Sequence, residues 1–81
     1  MRLRKQERGN KNIIGAKVEE IRKQQGMKQK ELLAQLQVNG IDMNASALSK
    51  LEGQVRLVTD YELAAIAKIL DVSVNKLLGI E

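Results

Sequence analysis

NASALSKLE, residues 44–52, is the stretch around which the rest of the chain is organised, because it describes a short helix with two different faces. Asn44 is of a type that caps helix N-termini, and Leu48 and Leu51 lie three positions apart on one face. The other face carries short side chains and a single charge, from Ala45, Ser46, Ser49 and Lys50. A helix with so small an outer face can lie close against an irregular surface.

Four further helices are predicted from apolar residues at helical spacing and from residue types that start helices. They are expected from about Asn12 to Gln25, over residues 28–37, from a capping box formed by Thr59 and Glu62, and after a cap at Ser73. The predicted fold class is therefore all-α, with five helices that share one compact core. Gly15 in the first helix is expected to allow close packing against the third or the fifth helix.

The least regular part of the chain, residues 37–43, connects the second and third helices. Asn39-Gly40 is a strong turn signal, and we expect the apolar side chains of Val38, Ile41 and Met43 to pin this loop to the core. After the third helix, Gly53 is expected to take a left-handed conformation and to lead into an extended connector.

Composition limits both the fold and the chemistry. A chain of 81 residues suffices for one small core, and the absence of Pro, Cys, Trp, Phe and His leaves Leu, Ile, Val, Ala and Met to build it. Without His or Cys, the chain lacks the commonest metal ligands and the side chains that usually pair as nucleophile and base. We therefore expect no metal, no cofactor, no small-molecule ligand and no enzymatic activity.

Neither a membrane span nor a secretory signal is predicted. The longest apolar run is far shorter than a membrane requires, and the basic start of the chain is not followed by a hydrophobic signal core. We expect no membrane partner and a cytoplasmic location.

The net charge is concentrated at the N-terminus. Residues 1–12 contain five basic residues and one acidic residue, a balance of +4, whereas the remainder contains nine of each. We expect residues 1–11 to form a mobile or loosely helical basic arm and residues 12–81 to form the domain. Two interpretations of the arm stay open: it only raises solubility, or it binds phosphates or a DNA groove through Arg2, Arg4, Lys5 and Arg8.

Several pieces of the sequence, taken in order, resemble the helix-turn-helix domain of the phage-repressor family (XRE-type), which includes lambda repressor and Cro. IGAKVEEIRKQQGMKQKEL, residues 14–32, is similar to that family's first helix and the start of its second. SALSKLEG, residues 46–53, is similar to its third helix, and VTDYELAAIAKILDVSVNKLL, residues 58–78, to its fourth and fifth. The resemblance implies a five-helix, lambda-repressor-like DNA-binding domain in which helices two and three form the helix-turn-helix.

The same resemblance implies contacts with double-stranded DNA. It assigns base contacts in the major groove to Ala45, Ser46 and Lys50, and further base or backbone contacts to Asn44 and Ser49. Lys50 can donate to guanine, and Ala45 can contact a thymine methyl group. Phosphate contacts are assigned to Gln29, Lys28 and Arg56.

Arg22 and Glu52 match family positions that form a partly buried ion pair between the first and third helices. We expect this pair to orient the recognition helix rather than to add net stability. The sequence departs from the family at Leu33, where a small residue is usual, and at Gln37 and Gln54, where glycine is usual. It also contains about five inserted residues around NGID, residues 39–42. The lengthened turn means that the second and third helices need not cross at the usual close angle.

The leading hypothesis is a sequence-specific, repressor-like transcriptional regulator that places residues 44–52 in the major groove and is associated with the nucleoid. We expect a homodimer on a palindromic site, because one short helix on a near-neutral body makes few phosphate contacts. Leu57 and Ile80 are the expected interface residues. The alternative is a helix-turn-helix module that binds protein, as an antitoxin-like or anti-repressor partner. A third possibility is that the chain is the DNA-binding part of a longer regulator.

Overall fold

The computed structural model describes residues 8–80, and every regular element within this range is an α-helix. The helices are α1 (Gly15–Gln24), α2 (Gln29–Val38), α3 (Ala45–Glu52), α4 (Asp60–Leu70) and α5 (Val74–Leu78). The predicted all-α fold class with five helices is confirmed. None of the described helices is long and apolar enough to cross a membrane.

The five helices surround one hydrophobic core. Helix α3 packs against α1 and α2, α4 also packs against α1 and α2, and α5 packs against α4. Leu48 and Leu51 are 1% and 0% exposed, so the inner face of α3 lies in the core as predicted. The other buried apolar residues are Ile14, Val18, Ile21, Leu32, Leu36, Met43, Ile66, Ala67, Leu70 and Leu77.

Helices α3, α4 and α5 begin at the predicted caps. The Asn44 side-chain oxygen accepts a hydrogen bond from the backbone N–H of Ala47 at 2.8 Å, and Ser73 caps α5 in the same way. In the capping box of α4, Thr59 Oγ1 accepts from the Glu62 N–H at 3.2 Å, and Glu62 Oε1 accepts from the Thr59 N–H at 2.9 Å. These bonds satisfy N–H groups that helix geometry leaves without partners.

Helix α1 begins at Gly15, three residues later than predicted from Asn12. The Asn12 side-chain oxygen accepts from the Gly15 N–H at 2.8 Å, while its amide nitrogen donates to the carbonyl oxygens of Leu51 at 3.1 Å and Arg56 at 2.9 Å. Asn12 therefore ties the start of α1 to the end of α3 and the connector that follows it, instead of being the residue next to the helix.

All five helices end in the same motif. A residue with positive φ follows each helix, and the next N–H donates back to a carbonyl five residues earlier, as from Val55 to Lys50 at 3.0 Å. The prediction for Gly53 is wrong, because its φ is −81° and the left-handed residue is Gln54, at 60°. Gly53 keeps a right-handed conformation at the end of α3, so the chain reverses one residue later. The positive-φ residues are Gly26, Gly40, Gln54, Asp71 and Gly79.

The connection between α2 and α3 is held to the core by two of its three predicted residues. Met43 is 4% exposed, and Ile41 is half-buried against the core. The prediction for Val38 is wrong, because this side chain is 83% exposed. Helix α2 continues through Val38, and a residue two positions after the buried Leu36 lies on a different helix face.

Candidate functional site

The outer face of α3 is open to solvent. The side chains assigned to DNA bases are exposed along its length, and Asn44 is exposed at its N-terminus. Lys50 has no ion-pair partner among residues 8–80. The face therefore offers hydroxyl groups, one unpaired cation and no bulky side chain; its members are Ala45, Ser46, Ser49 and Lys50.

A buried polar network on the inner side of α3 fixes the position of this helix. The Glu52 side chain is fully buried and accepts from Arg22 Nε at 2.8 Å, from Arg22 Nη2 at 3.1 Å and from Gln29 Nε2 at 2.8 Å. The remaining terminal nitrogen of Arg22 donates to the carbonyl oxygen of Met27 at 2.8 Å. The expected Arg22–Glu52 ion pair is thus present, in a two-point arrangement that fixes direction as well as distance. It joins the end of α3 to α1 and to the start of α2.

Two of the residues assigned to phosphate are engaged inside the protein. The amide nitrogen of Gln29 donates to Glu52, as described above. The guanidinium of Arg56 donates to both carboxylate oxygens of Glu62 at 3.2 Å, and its side chain is 29% exposed. Either residue would have to exchange these internal bonds in order to bind a phosphate.

The chain segment before α1 is bound along the connector after α3. The Gly9 N–H donates to the Gly53 carbonyl oxygen at 2.8 Å, and the Lys11 N–H donates to the Gln54 carbonyl oxygen at 2.9 Å. A Cβ atom on Gly9 would lie 2.5 Å from the backbone carbonyl oxygen of Gln54, so this close approach requires glycine. The described part of the predicted arm is therefore packed, in contrast to the expectation of a loose segment up to residue 11.

Arg8 is also engaged internally. One terminal nitrogen donates to Glu19 Oε1 at 2.6 Å, and the other donates to the backbone carbonyl oxygen of Glu52. The arm residues Arg2, Arg4 and Lys5 lie outside the described residues. Any phosphate contact by Arg8 would compete with a carboxylate that already holds it.

Gly15 allows α1 to approach the end of α3. A Cβ atom at this position would collide with the carbonyl oxygen of Leu51 and would lie 2.9 Å from that of Glu52. The predicted close packing is confirmed, and the neighbour is the third helix. Together with the buried ion pair, this contact fixes the C-terminal end of α3 against α1.

Two exposed lysines lie at the start of α2. Neither Lys28 nor Lys30 has an ion-pair partner within residues 8–80. Lys30 lies at the edge of a cleft of about 270 Å³ between α2 and α3, which is also lined by Gln29, Leu33, Ala45 and Leu48. Lys28 was among the predicted phosphate contacts, whereas Lys30 was not. Its position in the first turn of α2 was visible, but its proximity to α3 depends on how the two helices pack.

A second concave surface is apolar. It has a volume of about 370 Å³, and Ile13, Leu57, Leu63 and Leu78 are among its lining residues. The expected interface residues Leu57 and Ile80 are 73% and 69% exposed, and Ile13, which was not among the predicted interface residues, is 68% exposed. Ile13 was visible as an apolar residue just before the buried stripe of α1.

Among the described residues, no three side chains of metal-binding type lie together. Comparison with protein-family models, with curated proteins and with solved structures finds no match to this chain.

Proposed function

We propose that this protein is a sequence-specific DNA-binding regulator, repressor-like, in which α2 and α3 act as a helix-turn-helix and α3 enters the major groove. The observation that carries the proposal is the combination of an exposed, short-side-chained outer face on α3 with a buried Arg22–Glu52–Gln29 network behind it. A surface that must meet base edges needs a helix held at one angle, and this network holds it. The resemblance to phage repressors supports the same function.

The dimensions of α3 suit this function. An α-helix with its side chains is about 10–12 Å across, and the major groove, which is about 12 Å wide, admits one. Small side chains allow the backbone to approach the base edges closely. In the proposal, Ser46 bonds base edges, Lys50 donates to guanine, and Asn44 and Ser49 supply further base or backbone contacts.

The phosphate contacts are proposed to come first from the unpaired lysines at the start of α2, Lys28 and Lys30. The positive end of the α2 dipole adds to their attraction for phosphate. Gln29 and Arg56 keep their proposed phosphate role only if they exchange their internal partners. These contacts position the domain without reading sequence.

The apolar groove supports a homodimer. Leu57 and Ile13 expose apolar side chains beside the groove, and its rim carries a cation and an anion, Lys11 and Asp60. A two-fold pairing buries the same patch from both protomers and matches opposite charges across the axis. Two recognition helices on one DNA site would also double the number of phosphate contacts, which a regulator at cytoplasmic salt requires.

Salt-dependent DNA binding tests the function. The full chain is titrated with duplex DNA at several salt concentrations, beside Lys28→Gln and Lys30→Gln variants. Removal of Lys28 or of Lys30 should reduce the magnitude of the slope of log K against log salt by about 1. Lys76→Gln on α5 is the matched control and should leave the slope unchanged. If the unmodified chain does not bind duplex DNA even at low salt, the proposal is refuted.

A protein-binding function is the second candidate, and the apolar groove is the observation that favours it. The variant Leu57→Ser tests whether the groove serves dimerisation. If the groove serves dimerisation on DNA, Leu57→Ser should convert a dimer into a monomer and weaken operator binding. Measuring the mass of the protein with and without DNA decides this, because a monomer in both conditions contradicts the dimer.

A further inference from the structure

We propose that the cleft between α2 and α3 reads the C5-methyl group of a thymine in the major groove, with Leu33 as a specificity-determining residue. This inference rests on the proposed function. It assigns a role to a residue that the resemblance leaves unexplained, because a small residue is usual where Leu33 stands. The cleft has a volume of about 270 Å³ and opens beside the outer face of α3.

The side chains that line the cleft favour binding of an apolar group. Leu48 is 1% exposed and lies deep, Leu33 is half-buried on α2, and Ala45 is exposed at the first position of α3. A guanine or cytosine edge placed against these side chains would lose hydrogen bonds to water without replacing them. Of the groups that base pairs present in the major groove, the thymine methyl is the apolar one.

The positive charges at the rim of the cleft favour DNA as the molecule that supplies this apolar group. Lys30 lies at the edge of the cleft and has no ion-pair partner in the described part of the chain, and Lys28 is two residues before it. A phosphate near these lysines would belong to the same DNA segment as a base that reaches Ala45. Gln29, the other polar residue of the cleft, already donates to Glu52, so the cleft presents mainly apolar atoms to a base.

Replacing thymine with deoxyuridine, which lacks only the methyl group, tests the inference. Duplex sites are selected from a random pool with the full chain, and each thymine of the preferred site is then replaced in turn. We expect one thymine per half-site at which the change weakens binding about fourfold, the factor that corresponds to about 0.8 kcal/mol for one buried methyl group.

The same series is measured with Leu33→Ala and Ala45→Gly. Each variant should reduce the thymine-to-uracil ratio at that position to less than about twofold, because the methyl group loses its apolar neighbours. Val38→Ala and Ala34→Gly, at exposed positions of α2, are the matched controls and should keep the full ratio. Ala45→Gly changes an exposed residue, so it remains informative if Leu33→Ala does not fold.

The outcomes separate the inference from the function on which it rests. Duplex binding in which no thymine is sensitive to loss of its methyl group overturns the methyl-reading cleft and leaves the DNA-binding function standing. A sensitive thymine whose ratio is unchanged in both cleft variants also overturns it. A chain that binds no duplex at low salt overturns the proposed function itself.

Discussion

Removal of the Glu52 carboxylate should destabilise the fold more than removal of any exposed charge. In Glu52→Ala, the three hydrogen bonds that the carboxylate accepts are lost, and Arg22 keeps only its bond to the Met27 carbonyl oxygen. The guanidinium then stays buried without a counter-charge. Breaking one side of such a pair costs about 3–5 kcal/mol.

That cost is large for a domain of this size. An 81-residue domain has a total stability of about 4–12 kcal/mol at the usual values per residue. Since about 1 kcal/mol shifts the melting temperature of so small a domain by roughly 4–8 °C, the variant should melt at least about 12 °C lower. Thermal and urea unfolding followed by circular dichroism measure the change.

Lys17→Met is the matched control for this experiment. Lys17 pairs with Glu20 on the same helix as Arg22, at 3.8 Å, and the two side chains are 39% and 57% exposed. Its loss should cost less than about 1 kcal/mol. The double variant Arg22→Met/Glu52→Leu should lose less free energy of unfolding than the two single variants lose together, because it leaves no uncompensated charge. If Glu52→Ala costs no more than Lys17→Met, the reasoning about the buried network is wrong.

Three further changes test the packing of α3 and its ends. Gly15→Ala should cost about 1–3 kcal/mol in urea unfolding, because the new Cβ meets the backbone of α3; an unchanged midpoint would contradict this. Gln54→Gly should be more stable than Gln54→Ala by about 1 kcal/mol, because both lose the side-chain bond to the Asn12 carbonyl oxygen and only glycine removes the left-handed strain; equal melting temperatures would argue against strain. Leu51→Ala should cost about 2–5 kcal/mol in thermal unfolding, whereas the exposed Val38→Ala should stay within about 0.5 kcal/mol; similar losses in the two would count against the core assignment.

The helices and their starts were predictable from the sequence because they depend on short-range chemistry. The spacing of Leu48 and Leu51 identifies the inner face of α3, and Asn44, Thr59 and Ser73 are capping types whose bonds reach only three residues along the chain. Such signals need no knowledge of other helices. The outer face of α3 could be predicted in the same step, because it consists of the residues that do not lie on the apolar inner face.

Two of the errors, at Asn12 and Arg8, occurred where distant segments meet. Asn12 has the character of a cap, yet its side chain also bonds the carbonyl oxygens of Leu51 and Arg56, far along the chain. Gly53 is of the residue type that favours a left-handed conformation, but the left-handed residue after α3 is Gln54, one position later. Arg8 belonged by composition to a free basic arm, but Glu19 and the end of α3 hold it in place.

The sequence by itself determined that this chain is all-α and which face of α3 is outward, because helical periodicity and capping are local properties of a polymer with a fixed pitch. Only the tertiary structure decided which charged and polar side chains remain available to a partner. Lys28, Lys30 and Lys50 have no ion-pair partner among residues 8–80, whereas Gln29 and Arg56 are held by carboxylates. The reason is that pairing depends on distances between segments far apart in the chain, and these distances exist only after the helices pack.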